Sequence, residues 1–320
     1  MQWRRNPLAL VCAIVVLGGG MLAAQGEPQS DHAAAAASGM EVLHGAVIMR
    51  TKGAANSTTA APGPLTYHGG FNGTGVIAGA SKVYLVYWGS QWNNNDPSGE
   101  AAIQQSFFRD VTNSAWNNSV TQYCQGVASG TTSCNGAGTP AINGPTFVDV
   151  WYDNASTAPM HPSQQQLANE AARAAQHFGN TNQAFNINVQ YVINTATRHN
   201  SSGFGSSYCA YHSTASSSYG YLAYTNMPYI TDAGASCGAN FNGLGPKAGI
   251  TIVGGHEFAE TETDIWPNVG WLDKNGAENG DKCAWIGSGP GATANVLLNG
   301  NSYPLQSLWS NANGGCVQSY

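Results

Sequence analysis

The sequence predicts an α+β fold with an α/β-like core, in which helices cover one mixed sheet. Three observations predict it: apolar strand patterns alternate with amphipathic helix patterns, a late helix pattern carries many acids, and six cysteines outside the N-terminal segment form an even set. Only 9% of the 320 residues are charged, against about 25% in an average soluble domain. Neutral polar residues must therefore supply most of the surface.

The first 24 residues have the pattern of a secretory signal peptide. Arg4 and Arg5 precede an apolar stretch at 8–22, and two alanines before residue 25 offer a cleavage site. This stretch is shorter than the roughly 20 residues of a spanning helix, so we expect no membrane anchor after signal removal. Residues 25–64 are interpreted as a linker or pro-segment. Residues 65–320 are expected to form a single secreted domain, extracellular or periplasmic and monomeric.

Strands and helices are predicted to alternate in the first part of this domain. Apolar or alternating patterns predict strands at 82–88, 147–152, 187–193 and 219–224. Helical spacing predicts helices at 97–111 and 163–178, with Ser98 and Ser163 as N-caps. Crossovers through helices favour parallel pairing of the first three strands. A Ser-, Gly- and Tyr-rich segment held by Cys209 is predicted to be a loop before the fourth strand.

The six remaining cysteines are expected to form disulfides, because the chain carries an export signal. Proximity in sequence favours the pairs Cys124–Cys134, Cys209–Cys237 and Cys283–Cys316. A metal site built from these cysteines is disfavoured, since no C-x-x-C pair occurs.

The acidic residues are concentrated in one segment: seven of the seventeen lie between Glu257 and Asp281. A helix is predicted at 250–264, and helical spacing places residues 256, 260, 263 and 264 on one face, with Glu262 pointing away. His256 and Glu260 then form an i, i+4 pair, with Glu257 beside them, as H-E-x-x-H presents its ligands to zinc. Buried acids so close together repel unless a cation neutralises them. A metal ion, Zn²⁺, is therefore predicted.

A catalytic zinc needs three protein ligands and one open position. No histidine follows His256, so a downstream third ligand must be acidic, with Glu278 as the first candidate and Asp281 as the second. His212 is an upstream candidate, and Asp264 is either a ligand or the acceptor that orients His256. A structural Ca²⁺ loop at 273–281 is the alternative, because hard cations prefer carboxylates and carbonyls.

The predicted reaction is hydrolysis of a protein or peptide substrate, with Glu257 as the general base. Nucleic-acid binding through phosphate neutralisation is excluded, because 11 Lys and Arg are scattered against 17 acids. Residues 234–238 fit the G-x-S-x-G motif of hydrolases, but no acid lies between Ser236 and the one later histidine. The competing hypothesis is a non-catalytic cell-wall or carbohydrate-associated protein with structural Ca²⁺. Its candidate sugar-stacking residues are Trp88, Trp92, Trp116, Trp151, Trp266, Trp271, Trp285 and Trp309.

Four segments, at 67–70 (Tyr-His-Gly-Gly), 82–89, 255–260 (Gly-His-Glu-Phe-Ala-Glu) and 278–283, together resemble the phosphate-induced/Exordium-like family and its bacterial secreted relatives. The resemblance runs discontinuously over about residues 65–316. It implies an extracellular or cell-wall location, and the bacterial relatives look like zinc metallopeptidases. The sequence departs from H-E-x-x-H in one position, because Glu260 stands where the motif has its second histidine.

The order of elements is also similar to the zincin architecture, in which the edge strand before the metal-binding helix binds an extended peptide. This similarity implies a zincin-like mixed sheet with disulfide-stapled loops, and it makes 219–229 the peptide-binding strand. His68, in the Tyr-His-Gly-Gly turn, is either a substrate contact or a turn residue. His212 and Tyr224 are further candidates for substrate contact.

Overall fold

The computed structural model describes residues 41–53, 63–144 and 146–320, and only the backbone of residues 41–46 and 147. The predicted signal peptide at 1–24 lies outside the described residues. The strands are β1 Glu41–Arg50, β2 Thr66–Tyr67, β3 Lys82–Trp88, β4 Cys124–Gln125, β5 Thr139–Pro140, β6 Phe147–Asp153, β7 Val189–Thr195, β8 Tyr208–Ser217, β9 Gly220–Met227, β10 Trp271–Leu272, β11 Ala294–Leu298, β12 Asn301–Leu305, β13 Leu308–Ser310 and β14 Gly315–Val317. The α-helices are α1 Glu100–Asp110, α2 Gln164–His177, α3 Gln183–Asn186 and α4 Ala248–Thr263. Short 3₁₀ helices span Ser90–Trp92, Asn117–Gln122, Ile230–Cys237, Phe241–Gly243 and Asp281–Cys283.

Six strands form one mixed sheet in the order β1-β8-β9-β7-β3-β6. Strands β6, β3, β7 and β9 are parallel, whereas β8 is antiparallel to both of its neighbours, β9 and β1. The four predicted strands are present, and the parallel pairing of the first three is confirmed. The mixed sheet with its helices confirms the α+β class.

Two segments expected outside the sheet belong to it. Strand β8 replaces the loop predicted before the fourth strand, and it is buried from Tyr208 to Ala215 although it contains no Val, Ile or Leu. Strand β1 lies in the segment interpreted as a linker or pro-segment, and it pairs along the outer edge of β8. Its Met49 is fully buried in the core. In β8, small and polar residues thus form a strand because tertiary burial outweighs their low strand propensity.

The two faces of the sheet hold separate apolar cores. Successive side chains of a strand point to opposite faces, so Leu85 of β3 packs with α1 and α4, whereas Tyr84 and Val86 pack with α2. Helix α2 begins with the predicted capping box at Ser163. Helix α1 begins later than predicted, because the carboxylate of Asp96, rather than Ser98, accepts the first backbone N–H groups.

Helix α4 runs through the interior, and all sixteen of its residues are buried. At Gly255 an added Cβ would lie 3.0 Å from Leu305 and 3.3 Å from Trp116, so the missing side chain lets β12 and its neighbours approach the helix. The predicted disulfides Cys124–Cys134, Cys209–Cys237 and Cys283–Cys316 are all present. Within the described residues, no helix combines the length and apolarity needed to cross a bilayer.

Candidate metal centre

Three parts of the chain bring histidines and acids together beneath the sheet. Helix α4 supplies His256, Glu257 and Glu260, while β8 supplies one further histidine and the loop after β10 supplies two further acids. The buried members, at 1% exposure or less, are His212, His256, Glu257, Glu260 and Glu278. Asp281 is the accessible member, because its side chain is 24% exposed. The cluster is therefore almost closed to solvent.

Two overlapping sets of side chains have metal-like spacing. Nε2 of His256 lies 3.0 Å from Oε1 of Glu260 and 3.7 Å from Oδ1 of Asp281. Nε2 of His212 lies 2.8 Å from Oε2 of Glu278 and 3.7 Å from Oε2 of Glu260. Within each set of three residues, one ligand atom from each lies within 4.8 Å of the others. Glu260 belongs to both sets.

The metal ligands predicted from the sequence therefore lie in one cluster, and both candidates for the third ligand, Glu278 and Asp281, belong to it. Asp281 lies with His256, whereas Glu278, the first candidate for the third ligand, lies with the upstream candidate His212. His212 reaches the cluster because it occupies an α4-facing position of β8, the strand that was predicted to be a loop.

Asp264 does not orient His256, contrary to one of the two roles considered for it. Its carboxylate accepts hydrogen bonds from the backbone N–H groups of Asn268, Val269 and Gly270, and so it holds the turn after α4. Burial raises the pKa of Asp264 to about 7, although these N–H groups and Glu278 partly offset the effect.

Gln306, which sequence reasoning missed, orients His256 instead. Its Nε2 donates to the carbonyl of Gly280 at 2.8 Å, so its Oε1 faces Nδ1 of His256 at 3.1 Å. Nδ1–H is therefore the donor, which leaves Nε2 with its lone pair directed at Glu260. A neutral amide 50 residues away has no spacing signal in the sequence.

Several buried polar atoms of the cluster have no hydrogen-bond partner among the described residues. They are both carboxylate oxygens of Glu257, Oε2 of Glu260, Oε1 of Glu278 and Nδ1 of His212. Buried carboxylates without partners are strongly disfavoured. A divalent cation satisfies the carboxylate oxygens, and one imidazole with carboxylates is a donor set suited to zinc. The residues present therefore fit a metal ion.

The pKa values reflect the crowding of charge. Burial lowers the pKa of His256, but the charge and hydrogen bond of Glu260, together with the charges of Glu257 and Asp281, outweigh burial and raise this pKa to about 10. Burial dominates for His212 and lowers its pKa to about 4. Burial raises the pKa of Glu257 well above its usual range, and burial with the charges of Glu260 and Asp264 does the same for Glu278. Glu257 and Glu278 thus hold protons unless a cation is present, whereas the neighbouring histidines lower the pKa of Glu260.

The predicted substrate contacts do not lie in this cluster, apart from His212. His68 is exposed and lies 3.2 Å from the hydroxyl of Thr66, which indicates a turn residue. Tyr224 is fully buried in the core beside α2, on the opposite face of the sheet from His212. The prediction that 219–229 forms the peptide-binding edge is wrong, because β9 lies between β7 and β8.

The features expected of a calcium-binding carbohydrate module have other roles. In the 273–281 loop, one carboxylate oxygen of Asp273 accepts from the N–H groups of Asn275 and Ala277, and the other lies 3.3 Å from the ammonium of Lys282. Seven of the eight candidate tryptophans are buried; Trp151 is half-buried and stacks on His177. No exposed tryptophan platform is found among these residues.

No protein-family model, curated protein or solved structure matches this chain. The resemblance to the Exordium-like family and to zincins therefore stays a prediction. The functional argument depends on the geometry of the cluster.

Proposed function

We propose that this protein is a secreted, zinc-dependent endopeptidase in which Glu257 acts as the general base. The observation that carries the proposal is the Glu257 carboxylate: it is buried, neither oxygen has a hydrogen-bond partner among the described residues, and it adjoins His256 and Glu260. Glu262 of the same helix is also buried, with neither carboxylate oxygen paired among the described residues, so what distinguishes Glu257 is its position beside two candidate ligands, His256 and Glu260.

His256, Glu260 and Asp281 would hold the metal, with Glu278 and His212 on the other side of Glu260. When bound, zinc supplies Lewis acidity toward water and toward a peptide carbonyl. Gln306 fixes the imidazole of His256 so that Nε2 is the donor atom. Glu260 is held in turn by the backbone N–H of Asp281, which donates to its Oε1 at 2.9 Å.

Glu257 takes the proton of the attacking water and passes it to the leaving amine. Burial favours this role because it raises the pKa of the carboxyl group, so the carboxylate accepts a proton readily.

A secreted location is supported by three disulfides, which persist in oxidising compartments. A signal-peptide pattern at the N-terminus supports the same location. An extended peptide substrate would pair with the outer edge of β8, the strand that carries His212. In the structure β1 pairs with that edge, with Val47 opposite His212.

A structural metal is the second candidate function, and the burial of the cluster favours it. Structural zinc sites are closed, whereas catalytic sites keep one position open. Asp281 alone among the candidate ligands is partly exposed. The two candidate functions differ in what they predict for hydrolysis. Only the peptidase cleaves a peptide, and that cleavage needs Glu257.

The test combines metal analysis with one substitution. Inductively coupled plasma analysis of the purified protein is expected to find zinc, and Glu257→Gln is expected to retain that zinc while peptide hydrolysis falls at least ~100-fold. Glu262→Gln is the matched control, since this glutamate of the same helix is equally buried, also has no hydrogen-bond partner for either carboxylate oxygen among the described residues, and belongs to neither set of candidate ligands. It should keep both zinc and hydrolysis. Calcium in place of zinc, or full hydrolysis by Glu257→Gln, contradicts the proposal.

A further inference from the structure

We infer that the cluster holds two metal ions, with the carboxylate of Glu260 bridging them. His256 and Asp281 complete one position, and His212 and Glu278 complete the other. This inference rests on the metal-binding part of the proposed function and adds a second ion to it.

The two oxygens of Glu260 point to different histidines. Oε1 lies 3.0 Å from Nε2 of His256, whereas Oε2 lies 3.7 Å from Nε2 of His212. A carboxylate that directs one oxygen to each of two donor sets has the geometry of a bridge. Ions in two-metal sites lie about 3.5–4 Å apart, a distance that one carboxylate can span.

The two histidines belong to different donor sets in this arrangement. Zinc lies about 2.0–2.1 Å from an imidazole nitrogen, so two nitrogens on one ion are at most about 4.2 Å apart. Each donor set within 4.8 Å contains a single histidine, and none among the described residues contains both. Each position therefore has its own imidazole, its own carboxylate and a share of Glu260.

Charge balance also favours two ions. Four carboxylates converge on the cluster, those of Glu257, Glu260, Glu278 and Asp281, and two divalent cations match their four charges. With one divalent cation, two of these carboxyl groups would have to stay protonated or remain as buried charges, which is costly. Asp264 needs no cation, because three backbone N–H groups bind its carboxylate.

Atoms without partners lie on both sides of Glu260. Oε2 of Glu260 and Oε1 of Glu278 have no hydrogen-bond partner within the described residues, and neither does either oxygen of Glu257. These side chains are 1% exposed or less. Nε2 of His212 and Oε2 of Glu278 pair with each other at 2.8 Å, but a single ion bound at His256 would leave Oε1 of Glu278 without a partner.

The test counts ions in the full-length, disulfide-bonded protein. The protein is stripped with a chelator, reloaded with Zn²⁺ alone, desalted and analysed by inductively coupled plasma mass spectrometry. We expect two zinc ions per chain. Reloading with Mn²⁺ should give the exchange-coupled spectrum of a manganese pair in electron paramagnetic resonance, a readout that does not depend on activity.

Variants assign the two positions. His212→Ala and His256→Ala should each bind one ion, and Glu260→Gln should weaken both positions. His177→Ala is the control and should bind two ions, because His177 lies on α2 across the sheet. Circular dichroism checks that each variant folds, and if His212→Ala does not, His212→Asn replaces it.

The outcomes separate this inference from the proposed function. One ion per chain with an uncoupled Mn²⁺ spectrum overturns the two-ion site and leaves a single-zinc peptidase possible. No bound ion overturns both. Two ions retained by His212→Ala also overturn the inference, since the second ion would then lie elsewhere.

Discussion

Nδ1 of His256 donates to Oε1 of Gln306 across 3.1 Å, and this contact decides which nitrogen of the imidazole carries the proton. With the proton on Nδ1, the lone pair of Nε2 points at an oxygen of Glu260 only 3.0 Å away. Two electron-rich atoms repel at that distance unless a cation lies between them or a second proton is added. Gln306 therefore prepares His256 to bind a metal.

Replacing Gln306 should weaken metal binding without removing a ligand. We expect Gln306→Met to lower the affinity for Zn²⁺ about 10- to 100-fold, because the imidazole loses the acceptor that fixes its tautomer and orientation. Competition with a chromophoric chelator measures this affinity. Gln318→Met is the control, since Gln318 is half-buried and, like the fully buried Gln306, donates to two backbone carbonyls. An unchanged affinity in Gln306→Met would show that His256 is oriented by other contacts.

Gly280 should tolerate no side chain. A Cβ at this position would lie 2.9 Å from Oε1 of Glu260 and 2.9 Å from Nδ1 of His256. The backbone itself would accept alanine, because its φ is −76°. We therefore expect Gly280→Ala to fold but to displace these two side chains and lose zinc, as measured by metal analysis after dialysis.

Gly287→Ala is the matched control for this substitution. Its Cβ would meet no atom closer than 3.6 Å, at Asn242. Full zinc content in both variants would mean that the cluster can shift around Gly280 without losing its ligands.

The sequence predicted the part of the site that helical spacing encodes. His256, Glu257 and Glu260 follow from one helix, and the acidic loop was found because charges are rare elsewhere. The position of His212 could not be predicted, because β8 lacks the β-branched aliphatic run that marks a buried strand and its register is set by pairing with β9. Sheet order likewise depends on tertiary packing, so β9 was expected at an edge.

Glu100 should make the protein less stable at alkaline pH. It is buried at the start of α1 and accepts hydrogen bonds from the N–H groups of Ile230 and Thr231. Burial raises its pKa to about 7 in the folded state, from 4.5. The folded state then holds a proton that the unfolded chain has released, so stability falls as pH rises from about 4.5 to 7 and is constant above that range.

Glu100→Gln removes the carboxyl group that titrates, and with it this pH dependence. Urea unfolding at pH 5.5 and at pH 8 should show that the wild-type free energy of unfolding decreases more than that of the variant, by about 2 kcal/mol. The other buried acids titrate in both proteins, so their contribution cancels when the change in the free energy of unfolding of the variant is subtracted from that of the wild type. Equal pH dependence in both would place the pKa of Glu100 near its unfolded value.

Strand β1 should limit access of a peptide to the proposed active site. It occupies the outer edge of β8, places Val47 opposite His212 and brings the backbone of Met49 to Glu257. We expect that cutting at a protease site inserted within 54–62, followed by removal of the N-terminal fragment, raises peptide hydrolysis. A synthetic peptide with the sequence of residues 41–50 should inhibit the cut protein, whereas a scrambled peptide should not. Equal activity before and after removal would mean that substrate reaches Glu257 without displacing β1.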